Sequence, residues 1–130
     1  MTTADLLDSL RAHLAGVELP ELYSVNLTPS SSGPSVTAQL ACHPPPQTGS
    51  ALLAWADTLT EVTAEAWRVP SGDRVHLSVT GRLPSGASIR VYAGVMFTEH
   101  GIGADLTPDT STTMALATLR QRLTLGEVTP

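Results

Sequence analysis

The chain contains no lysine: its seven basic residues are all arginine, against twelve aspartate and glutamate residues, and the net charge is -5. Without lysine there is no Schiff-base chemistry of the kind that pyridoxal phosphate enzymes use, and no lysine-bearing phosphate loop. An alanine- and threonine-rich composition without lysine is typical of a GC-rich genome. We therefore attribute the absence of lysine to coding bias before we attribute it to function.

Cysteine and long apolar runs are also scarce. The single cysteine, Cys42, cannot form an internal disulfide, which favours a reducing compartment. The longest wholly apolar run, residues 51–56, is too short to cross a bilayer, and the N-terminus lacks the basic region of a signal peptide. These absences predict a cytoplasmic protein without a membrane partner.

Aromatic residues make up 4% of the chain and charged residues 15%, whereas 42% of the residues are apolar. This balance is typical of a globular chain, and 130 residues suffice for one core filled mainly by leucine, valine and alanine. We expect a single domain over residues 1–125 and a frayed C-terminal tail over residues 126–130.

Two helices are predicted in the first half of the chain. The first follows a threonine N-cap, and its apolar face holds four leucines: Leu6, Leu7, Leu10 and Leu14. The second is capped by Thr48 or Ser50, has an apolar face around Leu52 and Trp55, and ends near Thr60.

A third helix is predicted after a loop that ends at Pro108. Its N-cap is Asp109, Thr110 or Ser111. The residues available for burial on this helix are Met114, Ala115, Leu116, Leu119 and Leu123.

Five segments alternate between apolar and polar residues, as strands do. Residues 23–27 and 36–42 form a predicted hairpin, and three more strands from residue 61 onward form a meander with turns at residues 70–73 and 84–86. The third strand has two readings. Either Val62, Ala64 and Ala66 face the core and Trp67 faces away, or Trp67 and Val69 face the core beside Thr63. Burial of the large indole favours the second reading at the C-terminal end of the strand, and a bulge would reconcile the two.

The order helix, two strands, helix, three strands, helix (α-β-β-α-β-β-β-α) predicts an α+β fold. We expect a two-layer sandwich in which a five-stranded antiparallel sheet carries its helices mainly on one face. A free edge on strand two or strand five would be a ready site for strand addition.

Positive charge is concentrated in the meander. Residues 66–98 hold four arginines and one aspartate, a charge of +3, which leaves -8 on the rest of a chain whose total is -5. The side chains predicted to share the open face of this sheet are Arg74, His76, Arg82, Arg90, Tyr92 and Met96.

This face fits two kinds of partner. Arginine, tyrosine and methionine, with Trp67 if it faces the same way, are enriched in protein interfaces, so the face is predicted to bind a second subunit or another protein. Arginines beside a tyrosine also occur on sheets that bind single-stranded nucleic acid. Nucleic acid is disfavoured, because the whole chain is acidic and its aromatic residues are few.

Two other places in the sequence are candidates for reactive sites. Cys42 and His43 are adjacent, but neighbours on a strand point to opposite faces, so Cys42 is predicted to be a small core residue. The loop that contains Glu99, His100 and Asp105 is the candidate for small-molecule binding or catalysis, although its spacing matches no metal or dinucleotide motif. We expect neither a metal nor a cofactor.

The stretch from Trp67 to Val95 resembles small proteins of high-GC actinobacteria, some of them carried on phages or mobile elements. This resemblance implies no activity. The sequence as a whole predicts a non-catalytic binding protein of a bacterial cytosol that forms a homodimer or serves as an accessory subunit.

Overall fold

A computed structural model describes residues 2–29, 34–41, 45–99 and 101–128 of the chain. Helices and strands follow one another in this order: α1 (Thr3–Gly16), β1 (Leu22–Leu27), β2 (Val36–Leu40), α2 (Pro45–Ala56), β3 (Thr60–Arg68), β4 (Arg74–Arg82), β5 (Ser88–Met96), β6 (Thr110–Ala115) and α3 (Leu116–Val128).

The described strands form one mixed sheet in the order β1-β2-β5-β4-β3-β6. The α+β class is confirmed, but the prediction of five antiparallel strands is wrong. There is a sixth strand, and β2 runs parallel to β5, with Val36 opposite Ile89 and Gln39 opposite Tyr92. A parallel pair needs a long crossover, and α2, β3 and β4 supply it. The end strands of the sheet are β1 and β6, so strands two and five offer no free edge.

The sixth strand occupies the region predicted as the start of the last helix. The predicted N-cap residues lie in β6 or directly before it: Asp109, Thr110 and Ser111. Met114 and Ala115 also belong to β6, and α3 begins only at Leu116. Threonine fills half of β6, and its branched β-carbon favours strands; pairing with β3, where Ala64 lies opposite Met114, then fixes the strand.

The core lies between the sheet and the helices. Alternate residues of the central strands are at most 1% exposed: Val75, Leu77 and Val79 on β4, and Ile89 and Val91 on β5. They form one cluster with residues of all three helices: Leu6 and Leu10 of α1, Leu52 and Trp55 of α2, and Leu119 of α3. The helices therefore cover the same face of the sheet, and alternation sends the other side chains of the strands to the opposite face.

The first helix buries a different stripe from the predicted one. Its N-cap is confirmed, because the Thr2 hydroxyl accepts a hydrogen bond from the Asp5 N–H and the Asp5 carboxylate accepts one from Thr2 N–H. The prediction placed Leu7 and Leu14 on the same apolar face as Leu6 and Leu10, but they are 43% and 42% exposed, so only part of that face is buried. The third buried position of α1 is taken by His13, on the turn after Leu10.

The second helix starts earlier than predicted. It begins at Pro45, not after Thr48 or Ser50, and ends at Ala56. Proline is well tolerated in the first turn of a helix, where its missing N–H has no partner to lose. Thr48 is only 2% exposed and lies inside the helix.

The third strand follows the first reading, and the expectation that Trp67 turns into the core is wrong. Ala64 and Ala66 are 2% and 0% exposed, and Trp67 lies on the opposite face. The small alanine side chains leave room for α3, which packs against β3.

A buried polar contact joins α1 to the end of α2. The Thr58 hydroxyl donates its hydrogen to the Trp55 carbonyl over 2.8 Å, so it accepts from His13 Nε2 at 2.8 Å. His13 is 7% exposed, and this burial lowers the pKa of its imidazole. The folded protein therefore favours neutral His13.

The burial of His13 makes stability depend on pH. The unfolded chain binds the proton more readily, so the stabilisation is fully present above about pH 6.5 and is lost as the pH falls toward the lower pKa of the folded state. Urea unfolding at several pH values measures this slope. We expect His13→Gln to flatten it. An unchanged slope in this variant would contradict the assignment of the pH dependence to His13. His76→Gln is measured for comparison, because the pKa of His76 is lowered as well.

A glycine in β4 is required by close packing. A methyl group at Gly81 would lie 2.9 Å from the Thr60 carbonyl oxygen, which is backbone and cannot move aside. We expect Gly81→Ala to lower the free energy of unfolding by about 1–3 kcal/mol in chemical denaturation. Gly16→Ala is the matched control, because no atom lies within 4 Å of its added methyl group, and it should leave stability unchanged or raise it.

Candidate partner-binding face

The sheet face opposite the helices, here called the open face, gathers all six side chains predicted for it. The strand register places Arg74 opposite Met96, Thr80 opposite Arg90 and Ser78 opposite Tyr92. The alternation along β4 and β5 then puts the remaining members on the same side. The predicted set is therefore assembled on one surface: Arg74, His76, Arg82, Arg90, Tyr92 and Met96.

Three rings form a row across the middle of the open face. Trp67, His76 and Tyr92 stand on β3, β4 and β5. The Trp67 and His76 rings meet edge to face with centroids 5.5 Å apart, and the His76 and Tyr92 rings are stacked at 6.1 Å. Because the rings pack against one another, they form a continuous ridge and do not lie as separate flat platforms.

Two of the three arginines on the open face are already paired. Arg82 Nε lies 2.8 Å from the Glu61 carboxylate, and Arg90 Nη2 lies 3.6 Å from that of Glu65. The second pair reaches across β4, where the small Ser78 lies between β3 and β5. The Arg82 pair is solvent-exposed and the Arg90 pair is partly exposed, so both contribute little to stability. In each pair the carboxylate offsets the positive charge that the arginine would offer to a partner.

Arg74 differs from the other two because it forms no ion pair within the described part of the chain. Its guanidinium lies against the backbone of Gly94, where a methyl group would stand 2.9 Å from Nη2. Beside it opens a pocket of about 330 Å³, lined by Tyr23, Gln39 and Ala93 among others. Arg74 thus joins the ring row to this pocket.

His76 lies close to the positive charges of two arginines of the open face. Burial lowers the pKa of its imidazole, and the nearby charges of Arg74 and Arg90 lower it further. His76 is therefore neutral at physiological pH and adds aromatic surface to the face instead of charge.

A fourth arginine of the meander, Arg68, has a structural role. Its Nε donates to the Gly72 carbonyl and its Nη1 to the Leu106 carbonyl, each over 2.9 Å, and its guanidinium carbon lies 3.6 Å above the centre of the Phe97 ring. It ties the β3–β4 turn to the segment between β5 and β6. The Arg68 guanidinium is therefore engaged by groups of the same chain, and we do not count it among the groups that could bind a partner.

The charge asymmetry seen in the sequence is weaker in space than along the chain. Counting from residue 66 leaves out Glu61 and Glu65, which lie on β3 beside the arginines; counting from residue 61 reduces the charge of the meander from +3 to +1. Only the strand register reveals this pairing, because Glu65 and Arg90 come from strands that are not neighbours in the sheet.

The loop proposed as a small-molecule site is built from turns. Ala104 N–H donates to the Gly101 carbonyl, Gly103 has a positive φ of 77°, and Leu106 is 9% exposed. Glu99 and Asp105 are exposed, and the nearest cation to Asp105 is Arg122 at 4.0 Å. The third candidate, His100, lies outside the described residues, as do Cys42 and His43.

No family model, curated protein or solved structure matches this chain. Among the described residues, no cluster of three or more histidine, cysteine or acidic side chains is placed to hold a metal ion. None of the helices in the described ranges combines the length and apolarity that a bilayer crossing requires.

Removing Arg68 should destabilise the protein far more than removing an arginine of the open face. Arg68→Gln loses two charge-assisted hydrogen bonds and a ring contact, so we expect the free energy of unfolding to fall by about 2–3 kcal/mol. Arg82→Gln loses an exposed ion pair and an exposed hydrogen bond to the Gly86 carbonyl, so it should lower the free energy of unfolding by about 1 kcal/mol or less. Equal losses in urea unfolding of the two variants would show that Arg68 does not hold the β5–β6 segment.

Proposed function

We propose that this chain is a non-catalytic binding protein of the bacterial cytoplasm that recognises an acidic segment of a partner protein through its open face. The observation that carries the proposal is the position of Arg74, a cation without an ion pair in the described part of the chain, between the ring row and a pocket. A carboxylate is the natural ligand of such a guanidinium.

The surroundings of Arg74 favour a protein ligand with an apolar side chain beside its carboxylate. Met96, opposite Arg74 in the register, is 62% exposed, and Trp67 and Tyr92 add aromatic surface. Arginine, tryptophan and tyrosine are the residue types that contribute most to binding at protein interfaces. The pocket of about 330 Å³ has room for one side chain of the partner.

Single-stranded nucleic acid fits the same face less well. Glu61 and Glu65 stand among the arginines and would repel phosphates, and the total charge of -5 opposes the approach of a polyanion. The rings also pack on one another, and the stacking of His76 on Tyr92 leaves fewer free ring faces for bases.

A displayed library of random peptides tests the proposal without knowledge of the natural partner. We expect the wild-type chain to enrich peptides that carry Asp or Glu next to a large apolar residue. Arg74→Glu should weaken binding of the enriched peptides at least about tenfold, which corresponds to about 1.4 kcal/mol. The affinities are measured by fluorescence anisotropy with labelled peptides.

Arg82→Glu is the matched control, since it reverses the same charge on the same strand and face at a position that is already paired. It should leave the peptide affinity close to that of the wild type. The proposal fails if no acidic peptides are enriched, or if both variants bind equally. Tight, salt-sensitive binding of a labelled oligothymidylate that is lost in Arg74→Glu would instead assign the face to nucleic acid.

A further inference from the structure

The outer edge of β1 presents unpaired backbone groups. Within the described residues, β1 has one neighbouring strand, β2. Thr28 N–H donates to the Ser35 carbonyl over 2.8 Å, and hydrogen-bonded residues alternate along an antiparallel strand. Ser24 and Asn26 therefore bond with β2, whereas the N–H and C=O groups of Val25 and Leu27 point away from the sheet. Such groups are complementary to one kind of ligand, another extended strand.

The strand has little of the usual protection against edge pairing. The residues Leu22–Leu27 include no charged residue and no proline. A bulge interrupts the register between Leu22 and Ser24, but the stretch from Ser24 to Leu27 is regular. Charged side chains and proline are the devices that keep exposed edges apart, and their absence leaves this edge open to pairing.

An apolar surface lies next to this edge. Of the six large apolar side chains exposed in the described part of the chain, Met96 lies on the open face and the other five lie on or next to α1 and on β1: Leu7, Leu14, Val17, Tyr23 and Val25. Leu7 and Leu14 are two helical turns apart and share one stripe. A groove of about 320 Å³, lined by Leu14, Val17 and Leu22 among others, connects the stripe to β1.

We infer that this surface binds a second copy of the chain: β1 pairs antiparallel with β1 of that copy, and α1 packs antiparallel against its α1. Two such copies share one continuous sheet and cover the exposed apolar residues of both. The inference does not rest on the proposed function, because it uses the edge of β1 and the stripe on α1 and neither Arg74 nor the three rings of the open face. It places the predicted homodimer on the edge of the sheet.

The charges favour a second copy as the occupant and an antiparallel arrangement. Asp8 and Arg11 lie beside the stripe on the side away from the core, and neither forms an ion pair within the described residues. Antiparallel pairing of the two helices brings Asp8 of each copy beside Arg11 of the other. The same arrangement separates the two Glu21 side chains to opposite ends of the strand pair, whereas a parallel one would place them together.

Light scattering after gel filtration of the full chain tests the dimer. We expect about twice the monomer mass of 13.6 kDa for the wild type. Leu14→Glu should shift the mass to that of the monomer and raise the dimer dissociation constant at least about tenfold. Met96→Glu is the matched control, because Met96 is an exposed apolar residue outside this surface, and it should leave the mass unchanged.

A charge exchange tests the orientation. Arg11→Asp alone should weaken the dimer, and the double variant Asp8→Arg with Arg11→Asp should restore it. Hydrogen exchange adds a readout of the strand pair: the amides of Val25 and Leu27 should be protected in the wild type and exchange faster in Leu14→Glu, while circular dichroism shows that the variant is folded. A wild-type monomer at high concentration, or a dimer that Met96→Glu dissociates and Leu14→Glu does not, overturns the inference.

Discussion

The structure depends on one constraint: in the described part of the chain, three helices cover one face of a six-stranded sheet and leave the other to solvent. Every strand must therefore be apolar on one side only. Ala64, Ala66 and Val91 lie toward the helices, while Glu65, Trp67 and Tyr92 lie on the open face. The same constraint places arginines and aromatic rings on one surface, because strand side chains that do not enter the core lie on the opposite face of the sheet.

Local patterning predicted most of the elements, and tertiary pairing decided the rest. The alternation of β4 and β5, the Thr2 cap and the open-face residues from Arg74 to Met96 followed from the sequence. The threonine-rich β6 did not, because its strand state depends on the exposed edge of β3. The burial of His13 in place of Leu14 and the Glu65–Arg90 pair likewise depend on neighbours that are distant in sequence.

The candidate site shows why the net charge of a sequence segment can differ from the charge of the surface that the segment forms. Arg68, Arg82 and Arg90 are engaged by a ring and carbonyl oxygens, by Glu61 and by Glu65 respectively, so one arginine of the meander, Arg74, is unpaired within the described residues. A surface of this kind is selective because it combines a single cation with aromatic and apolar contacts. A uniformly basic surface would bind polyanions of many kinds.

The parallel pairing of β2 with β5 also sets an order of folding. The β3–β4–β5 meander closes through two short connections, whereas the pairing of Val36 with Ile89 encloses a loop of about fifty residues. Loop closure of that length is entropically unfavourable until the meander offers a formed edge. The folding transition state is therefore expected to be polarised: the meander is structured in it, and the β1–β2 hairpin attaches afterwards.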